Sequence, residues 1–308
     1  MNGIINVYKE KGFTSFDVCA KLRRILKTRK IGHTGTLDPD AEGVLPICVG
    51  NATKLCDLLT DKDKVYEAVL ILGVTTDTED MTGTILSNQE VTASKEEVTK
   101  AIHQFIGPYD QIPPMYSAIK VNGQRLYDLA RKGTVIERKA RPVMIHGIEI
   151  LDFIMDDDNP LAVKEVRMRV SCSKGTYIRT LCKDIGERLG VGGCMKSLLR
   201  TKVSVFDLAN SLKIDYIEQL MVNNQIDQVL MPVDACFMHL PKAVTDEAAD
   251  KYLYNGNKLN VQQLQIETEE LPDVIGEVRV YDSQHIFTGI YEFNIAEGCF
   301  KPVKMFLS

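Results

Sequence analysis

The densest stretch of this sequence is GHTGTLDPDAEGVLP, residues 32–46. Its three glycines permit tight turns and close approach of backbone to a ligand. Pro39 pushes Asp38 toward an extended backbone, so the Asp38 carboxylate sits in a stiff loop, as a nucleophile or a base requires. An Asp-Pro pair suits a turn or a helix N-cap just as well. Metal binding is a second reading. Asp38, Asp40, Glu42 and Gly43 fall at the first, third, fifth and sixth positions of a calcium loop. Val49 then occupies the twelfth, where a bidentate carboxylate is required. A phosphate-binding loop fails as well, because no Gly-Lys-Ser/Thr follows the glycines. The other chemically dense stretch is SCSKGTYIRT, residues 171–180. A strand, a Gly turn and a helix start there would gather Lys174, Tyr177 and Arg179. Backbone N–H groups and basic side chains at such a start favour an anion. The alternative is a surface helix carrying a solvated arginine.

The elements around these stretches must position them. GIINVYK predicts a first strand. Ser15 is expected to cap a helix running to about Lys27, with Phe16, Cys19, Leu22 and Leu26 at helical spacing and Lys21, Arg23, Arg24 and Lys27 on its basic side. A loop is expected from Gly32 to Pro46. Residues 65–74 are apolar almost throughout, which suits a strand buried on both faces. Ser94 and Glu97 predict a capping box for a helix through Phe105. A proline-rich loop, an Asn-Gly turn and a short helix follow within 112–133. Long strands are expected near 141–154 and 163–172, then a helix over Thr176–Leu189 and a strand over 200–206. Beyond about residue 235 Thr245 is expected to cap a helix, and EVRVYD and FTGIYEF read as strands of a small α/β domain or β-barrel. Strands and helices do not alternate regularly, which predicts the α+β class with an antiparallel or mixed sheet.

Composition bounds the partners. With 44% hydrophobic and 26% charged residues, the chain is of ordinary globular type. No apolar run reaches about 18 residues, so no membrane helix is expected. The opening MNGIINVYKEKGF turns charged too early for a secretory h-region, which points to the cytoplasm. Eight cysteines form neither C-x-x-C nor a zinc-finger spacing with histidine, and read as free thiols in a reducing compartment. The net charge of −5 is unevenly placed: residues 204–308 carry 7 basic and 16 acidic residues, the remainder 30 and 26. Within that remainder, 9–30 holds 8 basic against 2 acidic residues and 164–203 holds 10 against 3. Such local patches bind phosphate whatever the overall charge, though each also suits a solvated face.

GHTGTLDPDAEGVLPICVGNATKL resembles the signature of the TruB family, the tRNA pseudouridine-55 synthases. KVYEAVLILGVTTDTEDMTG, IPPMYSAIKVNGQRLYDLARKG and CSKGTYIRTLCKDIGERLG are similar to further family blocks, in the same order. The resemblance runs from residue 3 to about 207. The acidic C-terminal part resembles, more loosely, the PUA-like tail of bacterial members. The resemblance implies a pseudouridine synthase fold, with a mixed, mainly antiparallel sheet flanked by helices. It divides the chain into a catalytic domain over 1–235, with an RNA-gripping insertion at about 112–145, and a PUA-like β-rich domain over 236–308. That insertion carries 7 basic and 2 acidic residues.

The implied activity is isomerisation of uridine-55 in the T-loop of tRNA after the base is flipped out. The bond from uracil N1 to ribose C1′ breaks, the base turns, and it rejoins through C5. No cofactor, metal or obligatory protein partner is implied, and no membrane. Asp38 is the implied essential carboxylate. Attack at C1′, addition to the base and removal of a ribose proton all remain open to it. Arg179 is implied as its cation, with a planar fork able to pair a carboxylate through two hydrogen bonds. Tyr66 is implied to lie against the base and is a candidate for moving the C5 proton. Tyr177 and Leu198 are implied to line the uracil pocket, Lys54 to lie near it, and His33 to hold the T-loop with its target nucleotide extruded. Without the resemblance, Tyr66, Tyr177 and Leu198 read as core, His33 as structural and Lys54 as a solvated helix lysine.

Three rival readings stand beside this one. An RNA-guided synthase with partner proteins is disfavoured by a compact chain without long basic tails. A non-catalytic tRNA-binding or folding chaperone on the same fold is disfavoured as sole role by Asp38, Tyr66 and Arg179 occurring together. A carboxylate-based hydrolase would release uracil or cut the strand.

Overall fold

The structure, a computed structural model, describes residues 1–121, 123–267 and 276–307. In chain order, β1 (Gly3–Lys9) leads into α1 (Ser15–Ile25), β2 (Ile31–His33), β3 (Glu42–Val49), α2 (Cys56–Thr60) and β4 (Lys64–Leu72). A hairpin of β5 (Val74–Thr76) and β6 (Ile85–Asn88) precedes α3 (Lys95–His103) and β7 (Gly107–Gln111). A ribbon of β8 (Lys120–Val121) and β9 (Gln124–Arg125) runs into α4 (Leu126–Arg131). Then come β10 (Arg141–Met155), β11 (Val163–Cys172), α5 (Ile178–Arg188), β12 (Gly193–Val203), β13 (Phe206–Asp207) and α6 (Ile214–Val222). The C-terminal part holds β14 (Lys242–Thr245), α7 (Asp250–Tyr254), β15 (Leu259–Asn260), β16 (Leu264–Ile266), β17 (Glu277–Tyr281), β18 (Phe287–Asn294) and β19 (Cys299–Met305).

The main sheet runs β1-β3-β12-β4-β11-β10-β7, with β2 beside β3 and β13 beside β12. Its pairs are antiparallel except β3 with β12, which are parallel. The sheet is therefore mixed and mainly antiparallel, and helices flank it, as expected. Side chains of a strand alternate between faces, and that alternation distributes the core. Ile5, Val7, Leu45, Ile47 and Val49 pack with Val18 and Leu22 of α1 and Ile217 of α6. Ile4, Val44 and Cys48 project the other way and meet Cys236, Ile290 and Phe306 from the C-terminal part. Farther along, Ala68, Leu70, Met168 and Val170 join Val98 and Ile102 of α3 and Leu181 and Ile185 of α5. A second sheet, ordered β15-β19-β18-β17-β14-β16, has its own core around Val278, Val280, Tyr291 and Phe300. This part is β-rich and PUA-like. Among the described residues, no helix is long and apolar enough to cross a membrane.

Several local expectations need correction. Thr14, and not Ser15, caps α1: its hydroxyl accepts from the Asp17 N–H at 3.0 Å, and the Asp17 carboxylate accepts from the Thr14 N–H at 2.9 Å. The helix stops at Ile25, and Phe16 is exposed while Val18 takes its place in the core. The expected Gly32–Pro46 loop shrinks to 34–41, because β2 and β3 absorb its ends. β4 alternates buried and half-buried positions, so only one of its faces is fully covered. The strand expected at 200–206 begins at Gly193 and breaks after Val203, where Ser204 turns with φ 53°. Thr245 ends a strand, and its hydroxyl donates to Asp250 at 2.5 Å, five residues on. The expected capping box at Ser94 and Glu97 is present. Asn122 of the expected Asn-Gly turn lies outside the described residues.

Candidate active site

Loop 34–41 is held from three directions. The Leu37 N–H donates to the Ser15 hydroxyl of α1 at 2.9 Å. From β1, the Lys9 ammonium donates to the carbonyls of Pro39 at 3.0 Å and Ala41 at 2.5 Å. From β12, the Arg200 guanidinium donates to Val44 at 2.8 Å and to Gly35 and Thr36 at 3.4 Å each. Lys9 and Arg200 are fully buried. Burial pushes the Lys9 ammonium down to about 8, against the raising effect of Asp38, Glu42 and Asp40. Backbone carbonyls aimed at a buried cation replace its lost water, and such charge-assisted bonds are short and directional. The sequence reading singled out neither cation.

Asp38 meets Arg179, which stands in the first turn of α5 and is 4% exposed. Arg179 Nε lies 2.9 Å from Asp38 Oδ2 and 3.8 Å from Asp80 Oδ2. Its two terminal nitrogens donate to the carbonyls of Thr78 at 3.0 Å and Tyr116 at 2.9 Å. The expected two-bond fork on one carboxylate is thus corrected. A single Nε faces Asp38, and the rest of the guanidinium ties the 77–84 turn and the 112–119 segment to the site. Asp80 is a third residue that the sequence does not single out. Its other oxygen accepts from the Thr82 N–H at 3.0 Å and from the hydroxyls of Thr82 at 2.6 Å and Thr78 at 2.7 Å. The Asp38 side chain itself is 40% exposed, so one flank of the carboxylate faces the cation and the other is open to a ligand.

Tyr66 on β4 is buried in the same apolar cluster as Leu37, Leu198 and Ile178. Burial raises its phenol above the ordinary value, and Asp38 is among the charges it feels. Tyr177 precedes α5, and both polar groups of its peptide backbone are taken by the Gln111 amide, at 2.7 and 2.9 Å. Burial also raises the Tyr177 phenol; contact with Ser117 and the charge of Arg179 oppose this, and Asp38 adds to it. Asp38, Arg179, Tyr66, Tyr177 and Leu198 are therefore brought together. His33 ends β2 and its Nδ1 accepts from the Gly35 N–H at 3.3 Å. Burial, with the Arg200 charge nearby, lowers the imidazole below its ordinary value. Lys54 is not joined to this group: its exposed ammonium donates to the Leu307 carbonyl at 3.1 Å. Lys174 pairs on the surface with Asp61 at 2.9 Å, so the anion beside the α5 start is the Asp38 carboxylate. In the 112–145 segment, Lys120, Arg125, Arg131 and Lys132 line one concavity.

Comparison with known proteins bears on the whole chain. Residues 23–178 match the family described as TruB family pseudouridylate synthase (N terminal domain), and residues 179–238 match the tRNA pseudouridylate synthase B C-terminal domain. The tRNA pseudouridine synthase B of Lachnoclostridium phytofermentans is 64% identical over 307 residues, covering 100% of each chain. That of Alkaliphilus oremlandii is 49% identical over 259 residues, 84% of this chain and 83% of its own. Among solved structures, a chain from a Cbf5-Nop10-Gar1 complex superposes with a TM-score of 0.71 at 25% identity, covering 99% of this chain and 85% of that one. A chain from an H/ACA RNP bound to a substrate RNA containing 2′-deoxyuridine gives the same TM-score at 22% identity, which speaks for the fold alone.

Proposed function

This chain belongs to the TruB family of pseudouridylate synthases, and on that premise we propose that it isomerises uridine-55 to pseudouridine in the T-loop of tRNA, with Asp38 as the essential carboxylate. The carrying observation is the Asp38–Arg179 pair at 2.9 Å, closed by a buried guanidinium on one side and open on the other. A carboxylate so held is oriented before the substrate arrives, and preorganised charge is what a transition state rewards. The target base must leave its stack to reach it, at a cost of about a few kcal/mol. Tyr66, Tyr177 and Leu198 supply the apolar walls that receive the uracil, and His33, beside the Asp38 loop, assists in holding the nucleotide out. Tyr66 is the group that moves the C5 proton. Residues 1–235 form the catalytic domain in this reading, 112–145 the RNA-gripping insertion, and 236–308 the PUA-like domain. The protein acts in the cytoplasm on free tRNA, without a cofactor or an obligatory protein partner. Two relatives named tRNA pseudouridine synthase B, at 64% and 49% identity, support tRNA as substrate.

Unmodified tRNA carrying tritium at uridine C5 tests the reading. Purified protein should release that tritium to water while the RNA chain stays intact. Free uracil or a cut strand would identify a hydrolase instead.

Binding should weaken steeply with salt in spite of the acidic chain. Each neutralised phosphate releases counterions, so six or more contacts predict a loss of about 10³-fold or more over a fourfold rise in salt. The basic runs at 9–30, 112–145 and 164–203 motivate this. Filter binding across a salt series measures it, and a flat response would place those runs away from RNA.

A further inference from the structure

We propose that Arg200 is a positioning residue for the proton-transfer half of the reaction, holding the Tyr66 phenol and the Asp38 loop in one frame and offering its charge to the phenol. The inference rests on the proposed function and deepens it. β12 lies between β3 and β4, and Arg200 is in register with Gly43 on the one and Tyr66 on the other. Gly43 marks how closely β3 approaches there: its φ is 107°, and an added Cβ would stand 2.2 Å from the Arg200 carbonyl oxygen. Only glycine fits such a contact.

The Arg200 side chain is 1% exposed and makes no ion pair among the described residues. Its nitrogens reach Gly35, Thr36 and Val44, which bracket Asp38 in the chain. Carbonyls satisfy its hydrogen bonds but bring no counter-charge. A buried arginine with no carboxylate is disfavoured against an apolar residue of the same volume, so packing alone does not explain it. Tyr66 and Arg200 are direct cross-strand partners on β4 and β12, so their side chains rise from the same face of the sheet, and the guanidinium charge favours a negative phenol. The other titratable groups that Tyr66 feels are the Cys172 thiol on β11 and Asp38 on the loop, and both resist a negative phenol. Burial raises the phenol further, and Arg200 opposes all three.

The chemistry needs that opposition. Once the base has rejoined through C5, that carbon bears both C1′ and its hydrogen. A base must take the hydrogen as a proton. The C5–H pair then forms C5=C6, the C6=N1 pair returns to N1, and N1 takes a proton from water. Tyr66 serves as this base in its phenolate form, having lost its own proton to solvent beforehand. The guanidinium stabilises the negative oxygen until the C5 proton neutralises it.

T-arm stem-loop RNAs carrying uridine, C5-deuterated uridine or 5-fluorouridine at the target position separate the steps. Fluorine cannot leave as a proton, so rearrangement of 5-fluorouridine stops short of the Tyr66 step. Arg200→Met should slow single-turnover pseudouridine formation by about 100-fold, the order of one acid–base group. The same variant should lose less on 5-fluorouridine than on uridine, the shared part being the missing anchor of the Asp38 loop, and should show a C5 deuterium isotope effect larger than wild type. Arg200→Lys, which keeps the charge, should restore most of the uridine rate and lose the enlarged isotope effect. Equal slowing of uridine and 5-fluorouridine, without a larger isotope effect, would overturn the proposal and leave Arg200 as a prop for the loop. If the Met variant does not fold, the Lys variant decides alone, since a Lys variant equally slow on both bases contradicts a charge acting through Tyr66. Absence of C5 tritium release by wild type would instead defeat the proposed function, a separate and prior outcome.

Discussion

Asp38→Asn is expected to abolish multiple turnover while tRNA binds with nearly its original affinity. The two side chains are almost equal in size, so only charge and basicity are lost. Removing one member of a buried ion pair ordinarily costs about 3–5 kcal/mol, because the other charge is stranded. Two features soften that here. Asp38 is 40% exposed, and Arg179 retains Asp80 at 3.8 Å together with the carbonyls of Thr78 and Tyr116. The loop, moreover, is anchored by Ser15, Lys9 and Arg200 through its backbone and not through the Asp38 side chain. The variant should therefore fold, and its defect should lie in chemistry. Loss of an acid–base group alone accounts for about 10²–10⁴-fold, and loss of an essential carboxylate for more. Tritium release under multiple-turnover conditions, beside filter binding of tRNA, measures both halves. Steady turnover by Asn protein free of wild type would remove Asp38 from its assigned role.

How far the site was legible depended on whether its cause was local. Thr14, Asp17, Ser94 and Glu97 act within one helical turn, so capping signals place both helices closely even where the cap residue is off by one. The long strands β10 and β11 carry their alternation in their own sequence and fall where expected. Asp38 stands out because a glycine- and proline-rich loop is unusual by itself, although its partner Arg179 entered through the family resemblance. Asp80 did not stand out. Its neighbourhood, TTDTEDMTG, reads as an ordinary polar turn, and the hydroxyl and amide bonds it makes to Thr78 and Thr82 fit that reading. Its approach to Arg179, ninety-nine positions away, appears only when the turn folds over α5. Arg200 was harder still. In RTKVSV it looks like one more exposed strand cation. Insertion of β12 between β3 and β4 buries it, and nothing in β12 announces that order. Lys9 is hidden for the same reason, since its carbonyl acceptors lie some thirty residues downstream. Charged residues in this site are thus the least legible part of it: their burial is decided by partners remote in sequence.

Arg179→Met is expected to be nearly inactive at neutral pH, more so than Arg179→Lys. In the native site the guanidinium fills three roles at once. Nε faces Asp38 and, at 3.8 Å, Asp80, while the terminal nitrogens hold the carbonyls of Thr78 and Tyr116. Methionine fills much of the same space and supplies none of these. Asp38 then loses the donor that orients it, and the 77–84 turn and the 112–119 segment lose their tie to the site. Lysine restores one positive charge but not the span: a single ammonium cannot reach Asp38, Thr78 and Tyr116 together, as the planar guanidinium does. Partial activity is the expected result for Lys, with the shortfall in rate and not in binding. Because the cation is spoken for by carboxylates and carbonyls, tRNA affinity should change far less than turnover in both variants. Single-turnover rates, with affinity measured in parallel, distinguish the possibilities. If Arg179→Met instead loses tRNA affinity while its single-turnover rate survives, Arg179 contacts phosphate in the complex and the pairing with Asp38 is not what catalysis uses.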